Sequence, residues 1–149
     1  MVYWKWISTN KLAAVGTNSI YHIDITNGET TPAEKVFDRV SQLANCQIMS
    51  YDTDATGTWC FLVGLYPNEK KEILSHIQLY NTEKKVTMPL EGYTACFADM
   101  PVTDAPGNPK NALFCFCERK ANEAHQTLRI TEIGNPPAGQ AKFKTECQI

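Results

Sequence analysis

The sequence of 149 residues lacks several features that would assign it to a familiar functional class. No apolar run approaches the roughly 20 residues of a membrane-spanning helix, so we expect no direct membrane insertion. The first residues, MVYWKWIS, lack a charged region followed by an apolar core, so no signal peptide is expected. Helical periodicity is also nearly missing, because no segment of about twelve residues or more keeps apolar side chains at helical spacing.

The chain also has no excess of positively charged residues. The chain has 14 Lys and Arg residues against 16 Asp and Glu residues, which gives a net charge of -2 and a pI near 5.9. Nucleic-acid binding requires a basic face, so we expect no nucleic-acid partner. The hydrophobic share of 43% and the length are typical of one folded domain.

Catalytic and metal-binding motifs are scarce. The sequence has no G-x-S-x-G, Walker or dinucleotide-binding motif, and its three histidines stand singly. Its six cysteines lie mostly in apolar runs, which predicts buried, reduced thiols rather than a disulfide framework. Cys115 and Cys117 have no second pair at zinc spacing, so we expect neither a metal nor another cofactor. An enzyme with Cys117 as nucleophile is a remaining alternative, but the nearest histidine, His125, has no visible orienting partner.

The chain consists instead of short β-rich runs separated by turn residues. Similar runs recur at a period of about 50 residues, as in WCFLVGLY (59–66) and LFCFCERK (113–120), or HIQLYNTE (76–83) and LRITEIGN (128–135). Four short strands in each period are typical of β-propeller blades. We therefore predict an all-β fold, with four-stranded antiparallel blades in a single partial propeller domain spanning 1–149. About three blade equivalents fit, at approximate boundaries 1–35, 36–92 and 93–149.

The ends of this pattern look incomplete. Trp4–Ile7 has no strand before it, so we expect the chain to start within a blade, and we expect no final strand in FKTECQI. Propellers usually close with four to eight blades, and unpaired strand edges favour association. The chain is therefore expected to be a piece of a longer one or to complete itself by oligomerising.

Several short motifs resemble one protein family in order and spacing over nearly the whole chain. They are WKWIS (4–8), YH (21–22), VFDR (36–39), CQI (46–48), TDA (53–55), QLY (78–80), P-EG (89–92), LFCF (113–116) and E-G-PP-G (132–139). Together they resemble the N-terminal terminal domain of the clathrin heavy chain, and the loops at 67–73, 101–111 and 119–126 depart most. The resemblance implies part of a seven-bladed β-propeller, roughly from the second or third blade to the fifth.

The resemblance also implies a function, that of a vesicle-coat structural protein that docks short peptide motifs of endocytic adaptors and arrestin-like proteins. It would act in intracellular protein transport and clathrin-mediated endocytosis, at the cytoplasmic face of coated pits and coated vesicles. Clathrin light chain and other heavy chains would be contacted only through regions absent here. The alternative is a purely architectural propeller fragment with incomplete grooves and no independent binding, and neither of these is an enzyme.

Two peptide-binding sites of the family have matching residues in this chain. The wall of a pocket for a motif with two aromatic residues resembles Gln47, Met49 and Leu65. Gln47 would hydrogen-bond the peptide, while Met49 and Leu65 would receive a ring. Met49 and Leu65 can equally be core residues of their strands.

The second site lies between the fourth and fifth blades of the family and binds leucine-rich loops of arrestin type. The residues that resemble it are Trp59, Leu79, Lys84, Val86, Met88 and Leu90. Lys84 stands where Arg is typical, so bidentate geometry toward a carboxylate is lost, and Met88 replaces a Gln that could hydrogen-bond. Trp59 heads an apolar strand, so a core role is equally open. The family's groove for acidic-leucine peptides lies mainly before Met1, so that motif is not expected to bind well.

Overall fold

The computed structural model describes residues 1–26, 28–101, 110–119, 123–134 and 142–149. These residues form three antiparallel sheets, and the bounds of the strands follow sheet by sheet. Sheet 1 contains β1 (Tyr3–Trp6), β2 (Lys11–Val15), β3 (Ser19–Thr26), β4 (Glu29–Thr30) and β5 (Glu34–Asp38). Sheet 2 contains β6 (Gln47–Thr53), β7 (Trp59–Pro67), β8 (Ile73–Asn81) and β9 (Val86–Glu91). Sheet 3 contains β10 (Thr94–Pro101), β11 (Lys110–Glu118), β12 (Thr127–Glu132) and β13 (Lys144–Gln148).

The all-β prediction and the four-stranded antiparallel sheets are confirmed, and the arrangement is consistent with part of a β-propeller. In sheets 2 and 3 each strand pairs with the next one along the chain. Sheet 1 differs by one detail, because the two-residue β4 and the longer β5 pair with different parts of β3. Over the described residues, the one helical element is a 3-10 turn at Ser41–Leu43.

One detail of the sequence-based prediction is wrong. The final segment does form a strand, β13, which pairs with β12. It lacks an apolar signal because all five of its residues are exposed, as suits an edge strand. β5 pairs with β3 and extends across the expected boundary at residue 35, so the first sheet continues to Asp38. Sheet 1 therefore has four principal strands, β1, β2, β3 and β5.

Sheet 2 is the middle layer, and both of its faces are covered. Residues directly opposite each other on antiparallel strands project from the same face of a sheet. The row Cys60, Tyr80 and the row Leu62, Gln78 belong to the face that packs on sheet 1. The row Phe61, Leu79, Met88 and the row Val63, Ile77, Leu90 belong to the face that packs on sheet 3. Burial on both faces explains why β7 reads as a continuous apolar run.

A buried amide fixes the connection between sheets 1 and 2. Gln78 is fully buried, and its Nε2 donates to the carbonyl of Asp38 at 2.9 Å. Its Oε1 accepts from the backbone N–H of Val40 at 3.0 Å. One side chain of sheet 2 therefore satisfies two backbone groups at the point where the chain leaves sheet 1.

The same connection is held from its other side by Arg39. Its guanidinium donates to the carbonyls of Gly16 and Thr17 at 3.2 and 2.9 Å, and also to the carbonyl of Leu43. Leu43 in turn lies over Gly64, where an added Cβ would be only 2.7 Å from the Leu43 Cδ2 atom. A larger residue at position 64 would push this connection away from β7.

His22 and Tyr51 join the facing sides of sheets 1 and 2. The Nε2 atom of His22 lies 2.7 Å from the hydroxyl oxygen of Tyr51, and the two groups share a hydrogen bond. Burial lowers the pKa of His22 to about 4, and the positive charge of Lys11 adds to this effect, while Asp24 opposes it. Burial also raises the pKa of Tyr51 well above its ordinary value. Both side chains are therefore neutral near pH 7.

We predict that Gln78→Leu destabilises the fold by about 2 to 4 kcal/mol. Leucine leaves the Asp38 carbonyl and the Val40 N–H without their partner, and each unsatisfied buried group costs roughly 1 to 3 kcal/mol. Chemical denaturation followed by tryptophan fluorescence would measure the loss. The exposed Gln42→Leu is the control and should change stability by less than about 0.5 kcal/mol. Equal effects of the two substitutions would contradict this role of Gln78.

We predict that His22 makes the fold less stable as the pH falls from about 6.5 to about 4. The unfolded chain binds a proton on this imidazole near its ordinary pKa of 6.5, whereas the folded chain does so only near 4. Protonation therefore favours the unfolded state within that window. The free energy of unfolding of the wild type, relative to that of His22→Gln, should fall across this range. His125→Gln, at an exposed position, should keep the wild-type pH dependence.

Candidate peptide-docking site

The three residues predicted for the two-aromatic motif lie together at the start of sheet 2. Gln47 on β6 is directly opposite Leu65 on β7. The pairing shifts between Ile48 and Ser50, so Met49 is the extra residue of a β-bulge. Met49 is 46% exposed, whereas its neighbour Ile48 is buried. The alternative that Met49 is a core residue is therefore wrong, while Leu65 is half-buried.

Apolar side chains of two sheets form a groove that includes three residues of the second predicted set. Its volume is about 420 Å³. Sheet 2 contributes Leu79, Met88 and Leu90, all from the face that packs on sheet 3. Leu79 is directly opposite Met88 across β8 and β9, and it is only 3% exposed, so it forms the floor. We call this hollow the apolar groove.

The other wall of the apolar groove comes from sheet 3, which sequence reasoning missed. Phe114 and Phe116 on β11 and Ile133 after β12 line it. Phe114 is buried and its ring lies 5.6 Å from that of Phe116, stacked at 28°. The apolar run LFCF indicates a buried strand, but nothing in the sequence alone indicates that its rings face Met88.

Charged residues border the apolar groove on the sheet 3 side. They are Glu118, Arg129 and Lys144, with Glu91 at the end of β9. Arg129 Nε donates to the Glu118 carboxylate at 2.7 Å, and its Nη1 contacts Glu146. The hydrogen bond to Glu118 raises the pKa of Arg129, so the guanidinium remains positively charged over the whole pH range in which proteins fold. The groove thus combines an apolar floor with a border of both charges.

Two other residues of the second set lie in a neighbouring, more polar hollow. Trp59 and Lys84 line this polar hollow of about 550 Å³, together with Asp54, Glu83 and Asn111. Ile133 lines both the polar hollow and the apolar groove, so the two adjoin. Five of the six residues of the second prediction are therefore divided over two hollows on one side of sheet 2, and Val86 lines neither of them.

The backbone around the polar hollow is fixed by short side chains. Asp54 is buried, and its Oδ1 accepts from the N–H of Trp59 at 2.8 Å. Asn81 is also buried, and its Oδ1 accepts from the N–H of Lys84 at 2.7 Å. Trp59 is half-buried and packs on the core between sheets 2 and 3, so it has both a core and a lining role.

Val86 and Lys84 present their side chains to solvent at the outer edge of this region. Val86 starts β9 opposite Asn81 and is 48% exposed. Lys84 lies in the turn before it and is exposed. These two residues can contact a ligand that follows the edge of sheet 2 from the polar hollow to the apolar groove.

A third hollow, of about 780 Å³, lies between sheets 1 and 2. Phe37 on β5 and Tyr80 on β8 form its apolar part, and their rings stack with centroids 4.5 Å apart. Glu34, Lys35 and Lys85 also line it, so it carries both signs of charge. None of the predicted peptide-binding residues lies there.

The described residues do not bring together the groups that the enzyme alternative requires. The Cys117 thiol donates to Oε1 of Gln126 at 3.1 Å, and no contact with His125 is among the described hydrogen bonds. Burial raises the pKa of the Cys60 thiol to about 11, so it remains protonated near pH 7. Within the described part of the chain, no three His, Cys, Asp or Glu residues are grouped so that they could hold a metal ion.

Among the residues that the structure describes, no helix has the length and apolar character needed to cross a bilayer.

Comparisons with known proteins give relatives that are named as clathrin heavy chains. The chain is 40% identical over 144 residues to the probable clathrin heavy chain 1 of Caenorhabditis elegans, which covers 97% of this chain and 8% of the relative. It is 38% identical over 144 residues to human clathrin heavy chain 2, and 40% identical over 143 residues to the clathrin heavy chain of Drosophila melanogaster. Those two matches cover 96% of this chain and 8% of each relative. No protein-family model matches the chain.

The matches cover nearly the whole of this chain but only a small part of each relative. Identity of 38 to 40% over nearly every residue confirms the resemblance that the short motifs predicted. The chain spans only about 8% of the length of these relatives. Along nearly all of its length, this chain is homologous to one short segment of the clathrin heavy chains.

Proposed function

We propose that this chain is a peptide-docking segment of a clathrin-type vesicle coat, forming one partial propeller domain over residues 1–149. Relatives named as clathrin heavy chains support the coat role, at the cytoplasmic face of coated pits and vesicles. The observation that carries the docking role is the apolar groove between sheets 2 and 3. It receives no side chain from the described residues that would fill it, and its lining residues lie mainly on paired strands of sheets 2 and 3.

The chemistry of the groove favours an extended peptide with two or three apolar side chains. Its floor at Leu79 and its wall of Phe114 and Phe116 offer sockets for leucine side chains. Lys84 lines the adjoining polar hollow and Arg129 borders the apolar groove, so both cations can attract acidic residues that flank such leucines. Single motifs of this kind bind weakly, and many copies in a coat would make the binding effective.

The partners we propose are short motifs of endocytic adaptors and arrestin-like proteins. A leucine-rich loop of arrestin type would occupy the apolar groove and contact Trp59, Val86 and Leu90 at its borders. A motif with two aromatic residues would bind at Gln47, Met49 and Leu65, where Met49 projects into solvent from the bulge. The chain itself would catalyse no reaction.

A purely architectural role is the second candidate, and one observation favours it. The face of sheet 1 that points away from sheet 2 carries Trp4 and Trp6, which are 55% and 47% exposed. Such large aromatic side chains are typical of faces that pack against another sheet. In this case the segment would support a larger propeller and bind no peptide alone.

Two peptides and two variants separate these proposals. We expect an arrestin-type leucine-rich peptide to bind about fivefold more weakly to Met88→Ala, because truncation removes part of the sheet 2 wall of the apolar groove, worth about 1 kcal/mol. Gln47→Ala should leave this peptide unaffected. A peptide with two aromatic residues should show the reverse pattern, and each variant is thus the control for the other. Fluorescence anisotropy or calorimetry would measure both dissociation constants.

The outcomes of that experiment are distinct. If neither peptide binds the wild type at millimolar concentration, the docking role of this segment is wrong and the architectural role is favoured. If both variants weaken both peptides equally, a general loss of structure explains the result. Circular dichroism of each variant would detect such a loss.

We predict that Lys84→Arg strengthens binding of an acidic leucine-rich peptide. Arginine offers two parallel N–H donors to a carboxylate, whereas the ammonium of lysine offers a point charge. The dissociation constant should fall by about two- to fivefold at low salt, and the gain should shrink as ionic strength rises. Lys85→Arg, at the next residue of the same turn, is the matched control and should have a smaller effect. Equal gains from the two variants would indicate unspecific attraction.

A further inference from the structure

Two cysteines face each other across sheet 3. Cys96 on β10 is directly opposite Cys115 on β11. Cys96 is exposed and Cys115 is half-buried, and both are free thiols. Their side chains project from the face of sheet 3 opposite to the one that carries Phe97 and Phe114, which packs on sheet 2. The two side chains are therefore neighbours on the same face, and the Cys96 thiol adds to the effect of burial in raising the pKa of Cys115.

The strand spacing suits a bond between the two sulfur atoms. Directly opposite residues of antiparallel strands have Cα atoms roughly 4.5 to 5.5 Å apart. Disulfides join residues whose Cα atoms are about 4.4 to 6.8 Å apart. A bond between Cys96 and Cys115 therefore requires rotation of the side chains and little movement of the strands.

The other four cysteines have different neighbours. Cys46 donates to the carbonyl of Gln42, and Cys60 is fully buried between sheets 1 and 2. Cys117 and Cys147 each lie opposite Leu128 on β12. Among the described strand pairs, Cys96 and Cys115 are thus the cysteines that directly oppose each other.

We propose that Cys96 and Cys115 form a redox-active dithiol, which a small-molecule disulfide oxidant converts to a cross-strand disulfide. The exposed Cys96, as thiolate, attacks one sulfur of the oxidant, forms a mixed disulfide and releases one thiolate. Cys115, as thiolate, then attacks the Cys96 sulfur and releases the second. The two protons from the cysteines go to the two released thiolates, so one disulfide is reduced to two thiols while the protein loses two electrons.

Burial raises the pKa of Cys115, and this fits the order of the two steps. A thiol that is harder to ionise is slow to attack a molecule from solvent. Once Cys96 holds the mixed disulfide in contact with it, the second attack is intramolecular and needs only a small thiolate fraction.

The disulfide would link the two strands that lie on either side of residues 102–109. Phe114 and Phe116 project from the opposite face of β11, so the apolar groove stays open in both redox states. The modification would thus stabilise sheet 3 against opening of its first strand, without occupying the peptide site.

The test uses the full 149-residue chain, first reduced and then incubated with oxidised glutathione. Remaining thiols are alkylated, and the protein is analysed by intact mass and by non-reducing peptide mapping. We expect alkylated thiols to fall from six to four, because one disulfide consumes two of the six. The mapped link should join Cys96 to Cys115, and the midpoint of thermal unfolding should rise and return after reduction.

Conservative variants complete the experiment. Cys96→Ser should yield no internal disulfide, and Cys115→Ser should stop at a glutathione adduct on Cys96. Cys147→Ser, which changes an exposed cysteine of the same sheet, should form the same disulfide as the wild type. Six alkylated thiols in the oxidised wild type would overturn the proposal, as would a mapped link between any other two cysteines. The wild-type map needs no variant, so it remains decisive if a variant fails to fold.

Discussion

Sheet 2 has to bury both of its faces, one against sheet 1 and the other against sheet 3. Apolar side chains therefore fill its two middle strands on both sides, and few polar groups can be accommodated there. Gln78 is the informative exception, because its amide satisfies the backbone of the segment that connects sheet 1 to sheet 2. Strand β8, which carries Gln78, therefore contributes to the core of sheet 2 and also fixes the segment through which the chain enters that sheet.

The apolar groove is a consequence of this arrangement. Sheet 3 covers the inner rows of sheet 2, where Phe61 and Ile77 are buried, but it covers Met88 and Leu90 only in part. Because sheet 3 covers the outer strand β9 only in part, the side chains of Met88 and Leu90 remain accessible to a ligand. The bulge at Met49 has a similar effect at the inner strand, since it turns one apolar side chain out of the core. Both candidate sites are places where the strands are fixed by the core and the packing is incomplete.

Much of the fold could be predicted because strand signals are local. Alternating and continuous apolar runs located most of the strands, and their repetition predicted the three sheets. The strand that was missed, β13, is an edge strand without a buried residue. The pairing of β5 with β3 could not be predicted either, because the sequence of a strand does not indicate its pairing partner. The family motifs identified site residues on sheet 2, yet they gave no indication of the wall that sheet 3 provides.

The sequence by itself determined the all-β class, the repeat of four-stranded units and the homology to a segment of the clathrin heavy chains. These properties depend on residue types and spacings along the chain. Only the tertiary structure decided that Phe116 faces Met88, that Trp59 and Leu79 line different hollows, and that Cys96 meets Cys115. Such contacts follow from strand register and from the packing of one sheet on another, and both depend on residues that are distant in the chain.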